Sequence, residues 1–123
     1  MSFTGLSPMF TTDKLVETIE FYTQLLGFTC ESYEEEWGWA SLQKDGVHIM
    51  FNTPNAHLPF EKPHWTGSLY FYTNNIQELW SKLESYPNIC YPLEAFDYGM
   101  REFAIYDNNG YLLKFGQTLD AQP

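Results

Sequence analysis

Basic residues are few in this chain. Its 123 residues include 6 Lys and Arg against 16 Asp and Glu, which gives a net charge of −10. Nucleic acids and anionic membrane surfaces bind proteins through Lys and Arg patches, so neither is expected as a partner. The acidic balance favours a cationic partner, or it serves solubility, which is the commoner reason for such a charge.

Cysteine is equally scarce, and long apolar runs are missing. Cys30 and Cys90 are too few for a disulfide framework and do not form a close-spaced metal pair. We expect both as buried, reduced thiols, the usual state in the cytoplasm. The first residues show no signal-peptide pattern, and no stretch has the apolar length of a membrane helix. The sequence therefore predicts a cytoplasmic protein that does not span a membrane.

Sequence signatures of common catalytic centres are missing too. There is no Ser/His/Asp set, nucleophile elbow or phosphate-binding loop, and Gly46 and Gly110 belong to turns. His57, Glu61 and His64 could bind a metal as a set, but prolines separate them and their spacing matches no common ligand pattern. We expect no metal site there and assign no catalytic residue.

Aromatic residues are abundant instead: nine Tyr, ten Phe and four Trp make up 19% of the chain. This exceeds what the core of a small domain needs, so part of the set is expected to line a surface cleft. The alternative is that the same side chains fill the core and an interface between subunits.

The two halves of the chain repeat one pattern. Trp39 to Phe51 matches Phe103 to Phe115 at an offset of 64, and Met9 to Leu15 matches Tyr70 to Ile76 at an offset of 61. Each half indicates a strand, a helix and then strands around a hairpin. In the last hairpin, Asn109-Gly110 suits a type I′ turn because both residues tolerate positive φ.

This repeat predicts an α+β fold of two βαβββ modules in one domain, residues 1–123. Module one spans about 4–53, a Pro-rich connection about 54–66 and module two about 67–117. Each module should form a curved mixed sheet with its helix on the outer face, so that the inner faces enclose a cleft. Gly27 should end the first helix, and Asn75 with Glu78 should cap the second.

Three segments carry a resemblance to a known family. They are SPMFTTDKLVETIEFYTQLLGF (7–28), GSLYFYTNNIQELWSKL (67–83) and YGMREFAIYDNNGYLLKFGQ (98–117). They resemble the opening module, the second-module strand and helix, and the closing hairpin of the vicinal oxygen chelate superfamily, which includes glyoxalase I, extradiol dioxygenases and bleomycin resistance proteins. The resemblance covers nearly the whole chain and implies the fold given above, but the superfamily hosts many chemistries.

In metal-dependent members of that superfamily, the ligands are a His or Gln opening the first strand of each module and a Glu on the last strand. The resemblance places these positions at Leu6 or Ser7, Gly67 or Ser68, Met50 and Lys114. None is a good ligand for a divalent ion, and Lys114 would repel one. The resemblance therefore implies the metal-free branch typified by bleomycin resistance proteins, with no cofactor.

Strand alternation selects the side chains that would face the cleft, if Lys114 points inward as the resemblance implies. Leu112, Phe103 and Ile105 should then join Lys114, with Arg101 at the rim. The predicted ligand-binding residues are Trp37, Trp39, His48, Met50, Ser68, Tyr70, Tyr72, Arg101, Phe103 and Lys114. The opposite faces, with Val47/Ile49/Phe51 and Leu113/Phe115, should pack under the helices.

Each of these assignments has a plainer alternative. Trp37 and Trp39 could complete a dimer core, Lys114 could simply pair with a carboxylate such as Glu102, and a lone His48 is more often hydrogen-bonded structure than a functional group.

The sequence thus predicts a metal-free, homodimeric binding protein that sequesters a cationic or planar aromatic small molecule. The first alternative is a metal-dependent lyase, isomerase or dioxygenase of the glyoxalase type. The second is a non-catalytic module whose aromatic surface serves assembly.

Overall fold

The structure is a computed structural model that describes residues 2, 4–55, 61–62 and 65–121. The chain divides into two compact units, Met1–Pro63 and His64–Pro123. Each unit holds one helix and an open four-stranded mixed sheet. The predicted α+β fold of two similar modules in one chain is therefore confirmed.

The first unit contains four strands and one helix. Its elements are β1 (Met9–Thr11), α1 (Leu15–Glu20) with a π-helical continuation (Phe21–Leu25), β2 (Thr29–Glu34), β3 (Trp39–Lys44) and β4 (Val47–Asn52). The strand order is β1-β4-β3-β2, with β1 parallel to β4. As predicted, Gly27 follows the helix with a positive φ of 80°, a conformation that ends helices and favours glycine.

The second unit repeats this order. Its elements are β5 (Leu69–Tyr72), α2 (Ile76–Leu83), β6 (Ile89–Phe96), β7 (Met100–Tyr106), β8 (Leu112–Thr118) and a 3-10 turn (Leu119–Ala121). The strand order is β5-β8-β7-β6, with β5 parallel to β8. The predicted cap is confirmed, because the Glu78 backbone N–H donates to the Asn75 side chain at 3.2 Å and the Asn75 amide donates to the Glu78 carboxylate at 2.9 Å.

The core of the first unit lies between its sheet and its helix. Ile49 and Phe51 of β4 are buried, and the Tyr22 ring lies 5.0 Å from the Phe51 ring. Val47, predicted on the same covered face, is 44% exposed because it sits at the open start of β4.

The core of the second unit corrects one prediction. Phe103 and Ile105 were expected to point with Lys114, but Phe103 pairs with Phe115 across β7 and β8, and Ala104 pairs with Lys114. Directly opposed residues in an antiparallel pair share a face, so Phe103 and Ile105 lie on the face opposite Lys114. Both are fully buried.

Turn chemistry differs from the prediction in the last hairpin. β7 and β8 are joined by five residues, and Gly110 has a positive φ of 97° whereas Asn109 does not. The Asp107 carboxylate accepts the Asn109 backbone N–H at 2.8 Å and so fixes a different turn. The type I′ prediction is wrong there, and the paired positive φ values occur in the first hairpin, at Asp45 (52°) and Gly46 (81°).

The two cysteines are free thiols. Cys30 is half-buried and Cys90 is exposed, so the expectation that both are buried is wrong. Cys90 follows the first residue of an edge strand. Among the described residues, no helix is long and apolar enough to cross a membrane.

Candidate functional site

The second sheet carries a polar and aromatic surface on the face opposite α2. Helix α2 covers the other face, where the Trp80 ring lies 5.0 Å from the Phe103 ring. Strand alternation and register place the following side chains on the open face: Tyr70, Tyr72, Tyr91, Glu102 and Lys114. Together with Tyr98 of the β6–β7 turn, whose phenol also lowers the pKa of Glu102, they are called the tyrosine face below.

Glu102 lies at the centre of the tyrosine face and is only 2% exposed. The Tyr70 hydroxyl donates to its Oε1 at 2.7 Å, and the Tyr91 hydroxyl donates to its Oε2. A buried carboxylate is costly unless hydrogen bonds compensate it, and here two phenols supply them.

These hydrogen bonds set the charge state of the cluster. Burial alone would raise the pKa of Glu102, but the hydroxyls of Tyr91, Tyr70 and Tyr98 and the charge of Lys114 outweigh it. The pKa of Glu102 is therefore lowered from its ordinary value of 4.5, and the group is ionised at neutral pH. Burial and the adjoining Glu102 carboxylate raise the pKa of Tyr70 and of Tyr91, so both phenols stay protonated.

Gly116 makes room for this arrangement. It pairs with Glu102 across β7 and β8 and with Tyr72 across β5 and β8. A methyl group added at Gly116 would lie 2.1 Å from the Tyr70 hydroxyl oxygen. The absence of a side chain therefore lets the Tyr70 ring lie against the sheet and reach Glu102.

The structure separates the site residues predicted for the second unit. Tyr70, Tyr72 and Lys114 share the open face, as expected from alternation. Phe103 and Arg101 lie on the helix-covered face, where Arg101 lines a cavity of about 370 Å³ between α2 and the sheet. These two placements correct the prediction, because the register of β7 differs by one residue from the one assumed.

Ser68 and Tyr72 mark the two ends of β5. Ser68 immediately precedes the strand and is half-buried, while Tyr72 ends it and is 81% exposed. The Tyr70 and Tyr72 rings lie 5.1 Å apart, so the exposed ring is continuous with the tyrosines around Glu102.

The first unit brings together its own set of predicted residues. Trp39, His48 and Met50 share the face opposite the buried Ile49, as alternation predicted. The His48 Nδ1 atom lies 3.3 Å from the Glu31 carboxylate, and both side chains are about half exposed. Trp37 lies in the turn before β3 and is 76% exposed. Whether these residues contact a ligand stays a prediction.

Glu102, Tyr91 and Tyr98 were missing from the predicted ligand-binding residues, and Glu102 was considered only as an ion-pair partner for Lys114. The available signal was Glu102 itself, an acidic residue directly before the apolar run Phe103–Tyr106 of the same strand. A buried carboxylate within a strand requires several donors, and tyrosines on neighbouring strands are suitable ones.

The residues at the family's metal-ligand positions do not fit a divalent ion. Met50 and Ser68 lack ligating carboxylate or imidazole groups, and Lys114 places an ammonium group on the same face as Glu102. Across the described ranges, no three His, Cys, Asp or Glu side chains cluster as a metal site. His57 and His64 lie outside the described residues.

Comparisons with known proteins agree with this fold. The sequence profile of the Glyoxalase/Bleomycin resistance protein/Dioxygenase superfamily matches residues 7–115. No curated protein matches the sequence significantly.

Several solved structures are similar to this chain. TioX from Micromonospora sp. ML1 is 15% identical, with a TM-score of 0.78 and coverage of 94% of this chain and 99% of TioX. A bleomycin resistance determinant encoded on the transposon Tn5 is 22% identical, with a TM-score of 0.74 and coverage of 94% and 98%. Lactoylglutathione lyase from Agrobacterium tumefaciens is 14% identical, with a TM-score of 0.72 and coverage of 93% and 92%. At these identities the likeness shows the fold alone.

Proposed function

This chain belongs to the Glyoxalase/Bleomycin resistance protein/Dioxygenase superfamily, and we propose that it is a metal-free small-molecule binding protein of the bleomycin-resistance type. Its ligand is cationic or planar aromatic and is bound on the tyrosine face. Binding withholds the ligand from its target, so the protein acts by sequestration and carries out no reaction.

The observation that carries this proposal is the ionised, buried Glu102 surrounded by tyrosines. Aromatic rings bind planar groups by stacking and bind cations through their negative faces, contributing about 0.5–2 kcal/mol per contact. Tyr72 and Tyr98 are 81% and 63% exposed, so their rings are available to a ligand. The buried negative charge below them adds long-range attraction for a cation.

Two further properties support the proposal. The net charge of −10 would speed the encounter with a cationic ligand. The positions that hold metal ligands in enzymes of the superfamily carry Met50 and Lys114 here, so the residues suit binding better than metal-assisted chemistry.

We further propose that the protein is a cytoplasmic homodimer. Trp37, Trp39 and His48 of the first unit would then supply a second set of ligand contacts. Analytical ultracentrifugation of the purified protein at micromolar concentration tests the dimer, and a monomer would contradict it.

Thermal unfolding of the purified protein tests the function. Divalent metal ions form one panel, and basic glycopeptides and planar aromatic cations of low molecular weight form the other. A ligand at 100 times its Kd stabilises the folded state by about 2.7 kcal/mol, which shifts the Tm of a domain this size by several degrees. We expect a shift with compounds of the second panel.

Variants make this test specific. Tyr72→Ala and Trp39→Ala should each reduce the ligand-induced Tm shift, while Val16→Ala, at an exposed residue of α1, should leave it unchanged. Stabilisation by a divalent metal alone would contradict the proposal. A complete lack of response to both panels would favour the alternative of an assembly module.

A further inference from the structure

The hydroxyl groups on the tyrosine face have a defined polarity. A tyrosine hydroxyl has one proton to donate and two lone pairs to accept with. The Tyr70 and Tyr91 hydroxyls donate their protons to the two oxygens of Glu102. The donor capacity of these two groups is therefore used, and their oxygen lone pairs remain for other partners.

A ligand can reach these phenol oxygens from the surface of the protein. Tyr70 and Tyr91 are half-buried and Tyr98 is 63% exposed, whereas Glu102 beneath them is 2% exposed. A ligand would meet the phenol oxygens and rings and would not reach the carboxylate directly. Glu102 therefore acts through the hydroxyl groups that it orients.

We propose, on the basis of the binding function proposed above, that the tyrosine face selects cations that donate hydrogen bonds, and that Glu102 is the positioning residue that determines this selectivity. An amidinium, guanidinium or primary ammonium group has the required donors and positive charge. A quaternary ammonium group has the charge without the donors. A carboxylate has only acceptors, which would meet the acceptor oxygens of the phenols. The tyrosine rings bind the apolar body of the ligand.

Lys114 is the charged group that opposes this ligand. It pairs with Tyr70 in the sheet register, and its charge acts on Glu102. Its presence means that charge attraction alone gives little selectivity, so the hydrogen-bond acceptors must supply the discrimination.

Four compounds that each carry one substituent on a benzene ring separate these contributions. Benzamidine is a planar cation with donors, phenyltrimethylammonium is a cation without donors, benzamide is neutral and benzoate is an anion. We expect benzamidine to bind about tenfold more tightly than phenyltrimethylammonium or benzamide and benzoate to bind most weakly, as measured by NMR titration of the full chain.

Glu102→Gln tests the positioning role. A glutamine amide accepts through one oxygen and donates through its nitrogen, so at least one phenol must turn its proton outward. The preference for benzamidine over phenyltrimethylammonium should fall to about twofold or less. Glu94→Gln is the matched control, because Glu94 is exposed and lines the cavity beside α2 with Arg101, so it removes the same charge away from the hydroxyls.

Tyr91→Phe keeps the test valid if Glu102→Gln fails to fold. It removes one of the two hydroxyls that donate to Glu102 and leaves the Tyr70 hydroxyl on Oε1. We expect an intermediate loss of the benzamidine preference, by about threefold.

The outcomes separate the two proposals. Equal binding of benzamidine and phenyltrimethylammonium, or an unchanged preference in both Glu102→Gln and Tyr91→Phe, would overturn the positioning role while leaving the binding function intact. An equal loss of preference in Glu94→Gln would assign the effect to net charge and overturn it as well. Binding of none of the four compounds to the tyrosine face would overturn both proposals.

Discussion

Tyr70 and Gly116 occupy neighbouring strands so closely that a methyl group on Gly116 would lie 2.1 Å from the Tyr70 hydroxyl oxygen. Because Gly116 has no side chain, the Tyr70 hydroxyl can lie against the sheet, 2.7 Å from Glu102 Oε1. Gly116 is therefore part of the site, although it contributes no side chain to it.

Replacing Gly116 should disrupt the tyrosine face. Gly116→Ala forces Tyr70 away from the sheet and weakens its hydrogen bond to Glu102, so the free energy of unfolding should fall by about 2–4 kcal/mol in urea titration. Gly5→Ala is the control, because nothing lies within 4 Å of the added methyl group. In a Tyr70→Ala background the cost of Gly116→Ala should largely vanish, and an undiminished cost there would contradict the proposed clash.

Acid should remove the stabilising contribution of Glu102. Its pKa is lower in the folded state than the ordinary value of 4.5, so the folded state favours the ionised form. The contribution is fully present above the unfolded pKa and is lost as pH falls through the folded pKa. The stability difference between the wild type and Glu102→Gln should therefore shrink as pH is lowered from 7 towards 3, which urea titrations at each pH measure. A pH-independent difference would show that the ionised form is not favoured.

Removing the charge of Lys114 should strengthen binding of a cationic ligand. Lys114→Met keeps the length of the side chain and removes a repulsive charge near the ligand, so affinity for benzamidine should rise about three- to tenfold. Lys82→Met, at an exposed residue of α2 paired with Glu78, is the control and should change affinity less than twofold. A loss of benzamidine affinity in Lys114→Met would contradict the repulsive role of this charge.

Gln117 joins the sheet of the second unit to the start of α2. Its Oε1 accepts the Ile76 backbone N–H at 2.9 Å, and its Nε2 donates to the Asn74 carbonyl at 2.9 Å. Gln117→Met preserves the volume but leaves a buried N–H without this partner, so we expect a loss of about 2–3 kcal/mol in urea titration. Gln24→Met, at an exposed position, should cost less than about 0.5 kcal/mol. Equal effects of the two substitutions would show that the hydrogen bonds of Gln117 to Ile76 and Asn74 do not stabilise the fold.

The repeat between the two halves of the chain was sufficient to predict the fold. Its offsets align β1 with β5 and the hairpin β3–β4 with β7–β8, and both hairpins are present. Apolar periodicity also identified both helices, because each buries one face, and Asn75 marked the start of the second. These features depend on local sequence, which a single chain displays directly.

The register of β7 could not be predicted from the sequence. Glu102, Phe103, Ala104 and Ile105 are all buried, so this strand has no alternation between polar and apolar residues to show which face each side chain takes. Phe103 was therefore assigned to the wrong face, and Glu102 was not recognised as the centre of a cluster. The partner tyrosines come from β5, β6 and a turn, and sequence spacing does not reveal that these segments meet.

The most direct test is a residue-by-residue NMR titration of the ¹⁵N-labelled protein with benzamidine, followed by a separate titration with Zn²⁺. The account predicts saturable shifts for benzamidine centred on Tyr70, Tyr91, Glu102 and Lys114, with no comparable response to the metal. Shifts absent from these residues, or a stoichiometric response to Zn²⁺ alone, would contradict a metal-free binding site on the tyrosine face.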